Sequence, residues 1–358
     1  MKILFIPHAP NITLVNRVYE FAKHSESYFL YWHLNNSTFK NKLLTQLRAL
    51  FTPFSQKDAL LSMPLLFRPD GVAPKVNSYL LNRLIRRYKI DVVVNANALL
   101  FDIDAIEVPV IYDLVDDHLS PNSDIGLTHK RIEKVKRDIQ NSVGVISVTA
   151  ELEEKVKSLN PQSTVIENGL HLERFKKAVS LKKELSLEGK KVYGYIGGVD
   201  AWTGIDKAIE HYLRIADDQT AMIVVGDSSA SFFTQLKSKY QKEILFMGKI
   251  APEKVPDYFK TLDIGLIPFR LNDFTNNAYP IKALEYGLSG ATVLSTPLKV
   301  LKNRALPFIH FCEIESFSEC MQRIGPEPVT YDFSALSWQS KTDALTAFVK
   351  SSLKVAKR

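Results

Sequence analysis

The segment Asn276-Asn277-Ala278-Tyr279-Pro280-Ile281-Lys282-Ala283-Leu284-Glu285-Tyr286 gathers an amide, a phenol, an amine and a carboxylate within eleven residues. Pro280 suits the first turn of a helix, where its missing N–H costs nothing. A helix starting there presents backbone N–H groups and a positive dipole end, a ready seat for a diphosphate. Lys282 in that first turn adds a point charge. Glu285, three residues on and on the same face, can accept hydrogen bonds from ribose hydroxyls. An amphipathic helix with a solvated Lys and Glu fits the same short pattern equally well.

Glycines supply a second group of candidates. Tyr195-Ile196-Gly197-Gly198 closes one apolar run, Gly226-Asp227 another, and Gly248-Lys249-Ile250 a third. Glycine directly after a buried strand lets the backbone approach a ligand closely, although a tight strand-to-helix turn uses the same residues. Acids form the third group. Asp113, Asp116, Asp117 and His118 follow the run Val108–Tyr112. A carboxylate there can take a proton from a hydroxyl if burial or a like charge raises its pKa, and a helix cap or solvated turn explains each singly. Asp102-Ile103-Asp104 has the spacing of a metal-holding acid pair, a commonplace spacing, and no bound metal or other cofactor is expected.

Short apolar runs alternate with helical patterns and must position these groups. The strands expected are Lys2–Ile6, Tyr28–Leu34, Asp91–Asn95, Val108–Tyr112, Val143–Val148 and Thr164–Ile166, followed by a second series. That series comprises Lys191–Ile196, Thr220–Val225, Ile244–Met247, Asp263–Ile267, Ala291–Leu294 and Phe308–Phe311. Continuous apolar runs without alternation mark parallel strands covered on both faces. Two successive series predict an α/β protein with two Rossmann-like doubly wound domains facing a cleft. Ligands of such sheets bind beyond the carboxyl ends of the strands, where all the loops above fall. The expected division is 1–174, completed by a helix over 338–358, and 175–337, with Phe175–Gly189 as linker.

The chain has 358 residues, 46% hydrophobic and 24% charged, a size and composition for two globular domains. Its apolar runs fall short of the roughly 18 residues of a membrane span. Cys312 and Cys320 match no metal spacing and read as buried, reduced thiols. The net charge of +7 is uneven: residues 1–90 hold 13 Lys/Arg against 4 Asp/Glu. Such a segment points to an anionic partner. Between Phe39 and Phe51, apolar residues 43, 44, 47, 50 and 51 form a helical stripe flanked by Lys40, Lys42 and Arg48. With the apolar stretch Ala59–Phe67, it points to an anionic membrane surface, although packing on the protein's own sheet accounts for the stripe as well. No nucleic-acid motif accompanies the charge.

The run Ile146–Leu152 with Val165-Ile166-Glu167-Asn168-Gly169-Leu170-His171-Leu172-Glu173-Arg174-Phe175 resembles the signature that ends the first domain of retaining GT-B glycosyltransferases. Asp263–Phe269 followed by Pro280-Ile281-Lys282 and Glu285-Tyr286 resembles the donor-binding core of that superfamily, in the form of a branch building bacterial capsules, exopolysaccharides and lipopolysaccharide. Phe333–Ala335, Ser337-Trp338 and the following helix are similar to the C-terminal helix that crosses back.

The resemblance implies that a nucleotide sugar, carrying UDP rather than GDP, rests on the second domain. Lys282 would contact the diphosphate and Glu285 the ribose, with Gly197, Gly198, Asp227, Lys249, Ile250, Asn277, Tyr279, Pro280 and Ile281 around them. His8 and Asn11, after the first strand, fall on the side of a glycan or glycolipid acceptor. Asn277 stands where retaining members carry an acid eight residues before Glu285, the Arg usual after the glycine loop is missing, and His171 replaces an Asp; these leave stereochemistry open. The expected protein is a metal-independent transferase at the cytoplasmic face of the membrane, using a lipid-linked glycan, capsule or lipopolysaccharide acceptor. An epimerase of the same fold and a catalytically silent binding protein are the alternatives.

Overall fold

The computed structural model describes residues 1–8, 17–25, 27–31, 50–69, 71–121, 128–227 and 231–356. The chain divides into two compact units, residues 1–169 with 338–358, and residues 170–337. Each is built on one largely parallel sheet.

The first unit holds β1 (Ile3–Ile6), β2 (Tyr28–Leu30), β3 (Ser55–Lys57), β4 (Leu60–Ser62), β5 (Val92–Asn95), β6 (Val110–Leu114), β7 (Gly144–Ser147) and β8 (Ser163–Val165). Their order is β3-β4-β2-β1-β5-β6-β7-β8, and only β3 runs antiparallel to its neighbour. Strands β1, β5, β6 and β7 are buried along their whole length, the burial their unbroken apolar runs require. One face packs Leu81, Leu84 and Ile85 of the helix Ala73–Tyr88. The other packs Phe21 of the helix Arg17–His24 and Trp338, Leu345 and Val349 of the helix Trp338–Val355. Trp338 and Phe21 meet edge to face at 5.5 Å.

The second unit holds β9 (Lys191–Ile196), β10 (Thr220–Val225), β11 (Leu245–Gly248), β12 (Ile264–Ile267), β13 (Thr292–Ser295) and β14 (Ile309–Phe311). All pair in parallel, in the order β11-β10-β9-β12-β13-β14. The chain reverses winding between β9 and β12, so the crevice beyond their carboxyl ends is where a doubly wound sheet takes its ligand. The segment Leu172–Lys176 is a short helix, and Phe175 packs its ring 5.6 Å from Phe259 in the second unit. The two crossings run side by side: Leu170 pairs with Ser337, and the Leu170 N–H donates to Leu336 O at 2.7 Å.

Three expectations differ from the structure. The β3–β4 hairpin was not anticipated, because Ser55–Lys57 is polar and fully exposed. Cys312 and Cys320 are not separate thiols but a disulfide, since the turn Ile314–Ser316 and the helix Phe317–Arg323 fold back to bring their Cα atoms to 6.7 Å. The helix expected at Pro280 spans Lys282–Ser289, and its entry turn is already closed: Ile281 N–H donates to Tyr279 O, Ala283 N–H to Pro280 O, and Leu284 and Glu285 to Ile281 O. A fan of open amides is therefore not what that turn offers. Asn11 and most of the basic stripe, 39–49, lie outside the described residues.

Candidate functional site

In the second unit, packing sets the place of Lys282. Tyr286 lies flat on the sheet because Gly265 has no Cβ; one there would sit 2.3 Å from the tyrosine ring. The Tyr286 hydroxyl accepts from Ile196 N–H at 3.0 Å, which fastens the Lys282–Ser289 helix to the end of β9. One helical turn earlier, Lys282 Nζ consequently stands 3.9 Å from the centroid of the Tyr195 ring and 5.2 Å from that of Phe269. These rings lie at the ends of β9 and β12, at the winding reversal. The Tyr195 hydroxyl donates to Gly198 O at 2.7 Å, and burial holds that phenol well above its ordinary pKa. A Cβ on Gly197 would come within 2.5 Å of Lys282 Nζ, and its φ of +141° favours glycine as well.

Lys282 and Glu285 are both half-buried. Burial lowers the amine to about 7, with Glu285 opposing. Burial likewise raises the Glu285 carboxyl to about 7, with Lys282 opposing. Aromatic faces contact the ammonium but cannot neutralise it. The arrangement is a half-buried amine at the end of the sheet, with aromatic rings rather than water on one side.

The other predicted loops interlock around it. Gly197 N–H donates to Val225 O, Val199 N–H to Asp227 O, and Gly226 N–H to Gly248 O. Asp227 and Lys249 are exposed at the rim, and Ile250 is half-buried. Asn277 and Pro280 are buried, and the Tyr279 hydroxyl accepts from Arg304 at 2.6 Å.

Arg270 was not anticipated. It follows β12, and its Nε donates to Ala201 O while Nη2 pairs with Asp206, both at 2.7 Å. Trp202 packs 4.9 Å from Phe269. A guanidinium from beyond β12 thus ties the Ala201–Thr203 turn to the helix Ile205–Leu213. Its position just past Ile267-Pro268-Phe269 was the available signal.

In the first unit the three acids separate by role. Asp113, fully buried, is clasped by Arg17 through Nε and Nη2, the latter at 2.9 Å, while Arg17 Nη1 donates to Ile166 O and Asn168 Oδ1. Asp117 pairs with Lys155 at 2.6 Å and accepts the N–H groups of Leu119 and Ser120. Asp116 has no ion pair among the described residues. Burial first, and Asp117 second, raise its carboxyl to about 6. Burial and the neighbouring His8 lower His118 to about 4, and among the described residues its buried Nδ1 has no hydrogen-bond partner. His8 itself follows β1 and is exposed; the protein around it lowers its pKa, with Asp113 opposing. Among the described residues no group of three or more His, Cys, Asp or Glu is placed to hold a metal ion. Asp104 of the acid pair instead accepts from Asn141 at 2.7 Å.

This architecture, two doubly wound parallel-sheet units with a C-terminal helix returning to the first, is the GT-B fold of nucleotide-sugar glycosyltransferases. HepE of Anabaena, solved with UDP-glucose, superposes with a TM-score of 0.64 at 16% identity, covering 100% of this chain and 98% of that one. Sucrose-phosphate synthase of Thermosynechococcus elongatus gives 0.68 at 12% identity, covering 100% and 98%. WaaG, a glycosyltransferase involved in lipopolysaccharide biosynthesis, gives 0.63 at 12% identity, covering 98% of each chain. In sequence, 162 residues are 23% identical to TuaH of Bacillus subtilis strain 168, assigned as a glycosyltransferase of teichuronic acid biosynthesis. That match spans 45% of this chain and 41% of TuaH. No family model matches the chain.

Proposed function

We propose that this chain is a glycosyltransferase that binds a UDP-sugar on its second unit and passes the sugar to a hydroxyl of a lipid-linked glycan, capsule or lipopolysaccharide acceptor. The observation that carries the reading is Lys282: a half-buried amine held over Tyr195 and Phe269 at the winding reversal of the sheet. In this reading a diphosphate supplies the counter-charge for that amine, and Glu285 accepts from a ribose hydroxyl. HepE, WaaG and TuaH support the choice of UDP and of a polysaccharide or lipopolysaccharide acceptor, by likeness alone.

In the proposed reaction the bond between the anomeric carbon and the diphosphate oxygen breaks. UDP leaves with its charge balanced by Lys282, and the acceptor oxygen bonds to the anomeric carbon. For an inverting transfer Asp116 takes the hydroxyl proton and releases it to water. No metal takes part, Lys282 standing in the place of a divalent ion. No described helix is long and apolar enough to cross a membrane. The proposed location is peripheral, at the cytoplasmic face, where the Cys312–Cys320 link would be reduced.

Calorimetric titration with UDP and GDP tests the donor assignment. Wild-type protein should bind UDP more tightly than GDP and equally well in EDTA. Lys282→Ala should weaken UDP binding by about 1.5–3 kcal/mol, the worth of a charge-assisted hydrogen bond, at unchanged melting temperature. Equal UDP affinity in wild type and variant removes the assignment.

A further inference from the structure

The helix Ala73–Tyr88 turns an unusual face outward. Its inner face is fixed by more than apolar packing. Asn77 donates to Leu66 O and Leu100 O and accepts from Leu66 N–H; Ser78 donates to Asp102 O; Asn82 donates to Ala105 O and accepts from Glu107 N–H. These bonds leave the helix no freedom to roll, so its outer face is a fixed surface. At 100° per residue, Val72, Lys75, Val76, Tyr79, Arg83, Arg86 and Arg87 share one arc of that face. All seven are exposed, Tyr79 at 62% and Val72 at 50%. From Gly71 to Ile90 the chain has five basic residues, Lys75, Arg83, Arg86, Arg87 and Lys89, and no acid. One cation, Arg86, is partnered by Glu107. Arg83 lies over the Phe54 ring at 5.6 Å, which brings in the segment where Phe51 is 78% exposed.

We propose that this face docks the first unit on an anionic phospholipid bilayer, with Val72, Val76 and Tyr79 entering the headgroup boundary and Lys75, Arg83 and Arg87 meeting the phosphates. Charge complementarity selects the occupant. A second copy would set cation against cation. A polyanion without an apolar phase gives the valines nothing to enter, whereas a bilayer satisfies both halves of the face. The inference deepens the peripheral location proposed above and moves its anchor from 39–51 to a helix whose orientation the structure fixes.

Flotation with vesicles of phosphatidylcholine containing phosphatidylglycerol, against phosphatidylcholine alone, provides the test. Wild-type protein should float only with the anionic vesicles. Lys75→Gln with Arg87→Gln should lower the partition coefficient roughly twentyfold or more, at about fivefold per cation. Val76→Ser with Tyr79→Ser should lower it without changing its salt dependence. UDP affinity and melting temperature, unchanged in both, show that the variants are folded. If both variants bind vesicles like wild type while neutralising Lys40, Lys42 and Arg48 abolishes binding, this face is not the anchor and the peripheral location stands. If wild type ignores anionic vesicles, both fall. A dimer in solution that the Val76→Ser, Tyr79→Ser variant dissociates would assign the face to a second copy instead.

Discussion

Lys282 sits in an environment that its type does not prefer, and that departure has a sign. An amine lowered to about 7 is cationic below that pH and neutral above it. Diphosphate favours the cation, so binding raises the pKa, and UDP affinity should fall from pH 7 to pH 9 with uptake of a proton. Heats measured at pH 8.5 in buffers of different ionisation enthalpy should differ for wild type and agree for Lys282→Ala. Asp116 carries the opposite dependence. As a base it works ionised, so kcat/KM should climb about tenfold per pH unit up to about 6, and fall again above about 7 as Lys282 loses its proton. Asp116→Asn should lower turnover by roughly 10²–10⁴, remove that limb and leave UDP affinity intact; an unchanged rate strikes Asp116 from the mechanism. Both residues stand out in the sequence as candidates, one from a helix-entry motif and one from a cluster of acids after a strand. Their sorting does not. Arg17 silences Asp113 across 96 positions and Lys155 holds Asp117 across 38, separations at which sequence carries no signal.

At the scale of elements, the proposed donor site is a set of strand-end loops pressed together closely enough to exclude a methyl group. A Cβ on Gly226 would lie 2.0 Å from Gly197 O, on a backbone whose φ is +118°. Gly226→Ala should therefore cost about 2–4 kcal/mol in strain and overpacking. The loop displaced is the one beneath Lys282, so UDP affinity should fall together with melting temperature. Gly325→Ala, with open space around its Cβ and no left-handed φ, is the control and should be neutral. If Gly226→Ala matches that control, the loops are not interlocked as described. The strand–helix alternation behind this arrangement could be read directly, because buried parallel strands leave unbroken apolar runs. The polar β3 leaves none, and a disulfide eight residues long across a strand-to-helix turn follows no spacing rule.

For the whole molecule, the Trp338–Val355 helix is a structural part of the first unit although it comes last in the chain. Trp338 is 2% exposed against Phe21. Trp338→Ala should cost about 3–5 kcal/mol. By hydrogen exchange the loss of protection should fall on β1, β5 and β6, while β9, β10 and β12 keep theirs and UDP still binds. Equal loss in both sheets would deny that the two units are separately cored. The expectation of a returning helix came from the resemblance at Phe333–Ala335 and Ser337-Trp338, not from periodicity. The arrangement also bears on how the protein is made. A ribosome delivers residues 170–337 before it delivers Trp338, so the second unit emerges with both its ends already in hand, at Leu170 and Ser337. The first unit emerges earlier but waits for its last helix, on the order of ten to forty seconds at ordinary elongation rates. During that interval the groove meant for Trp338, Leu345 and Val349 is bare apolar surface, a natural target for a holdase chaperone on the nascent chain.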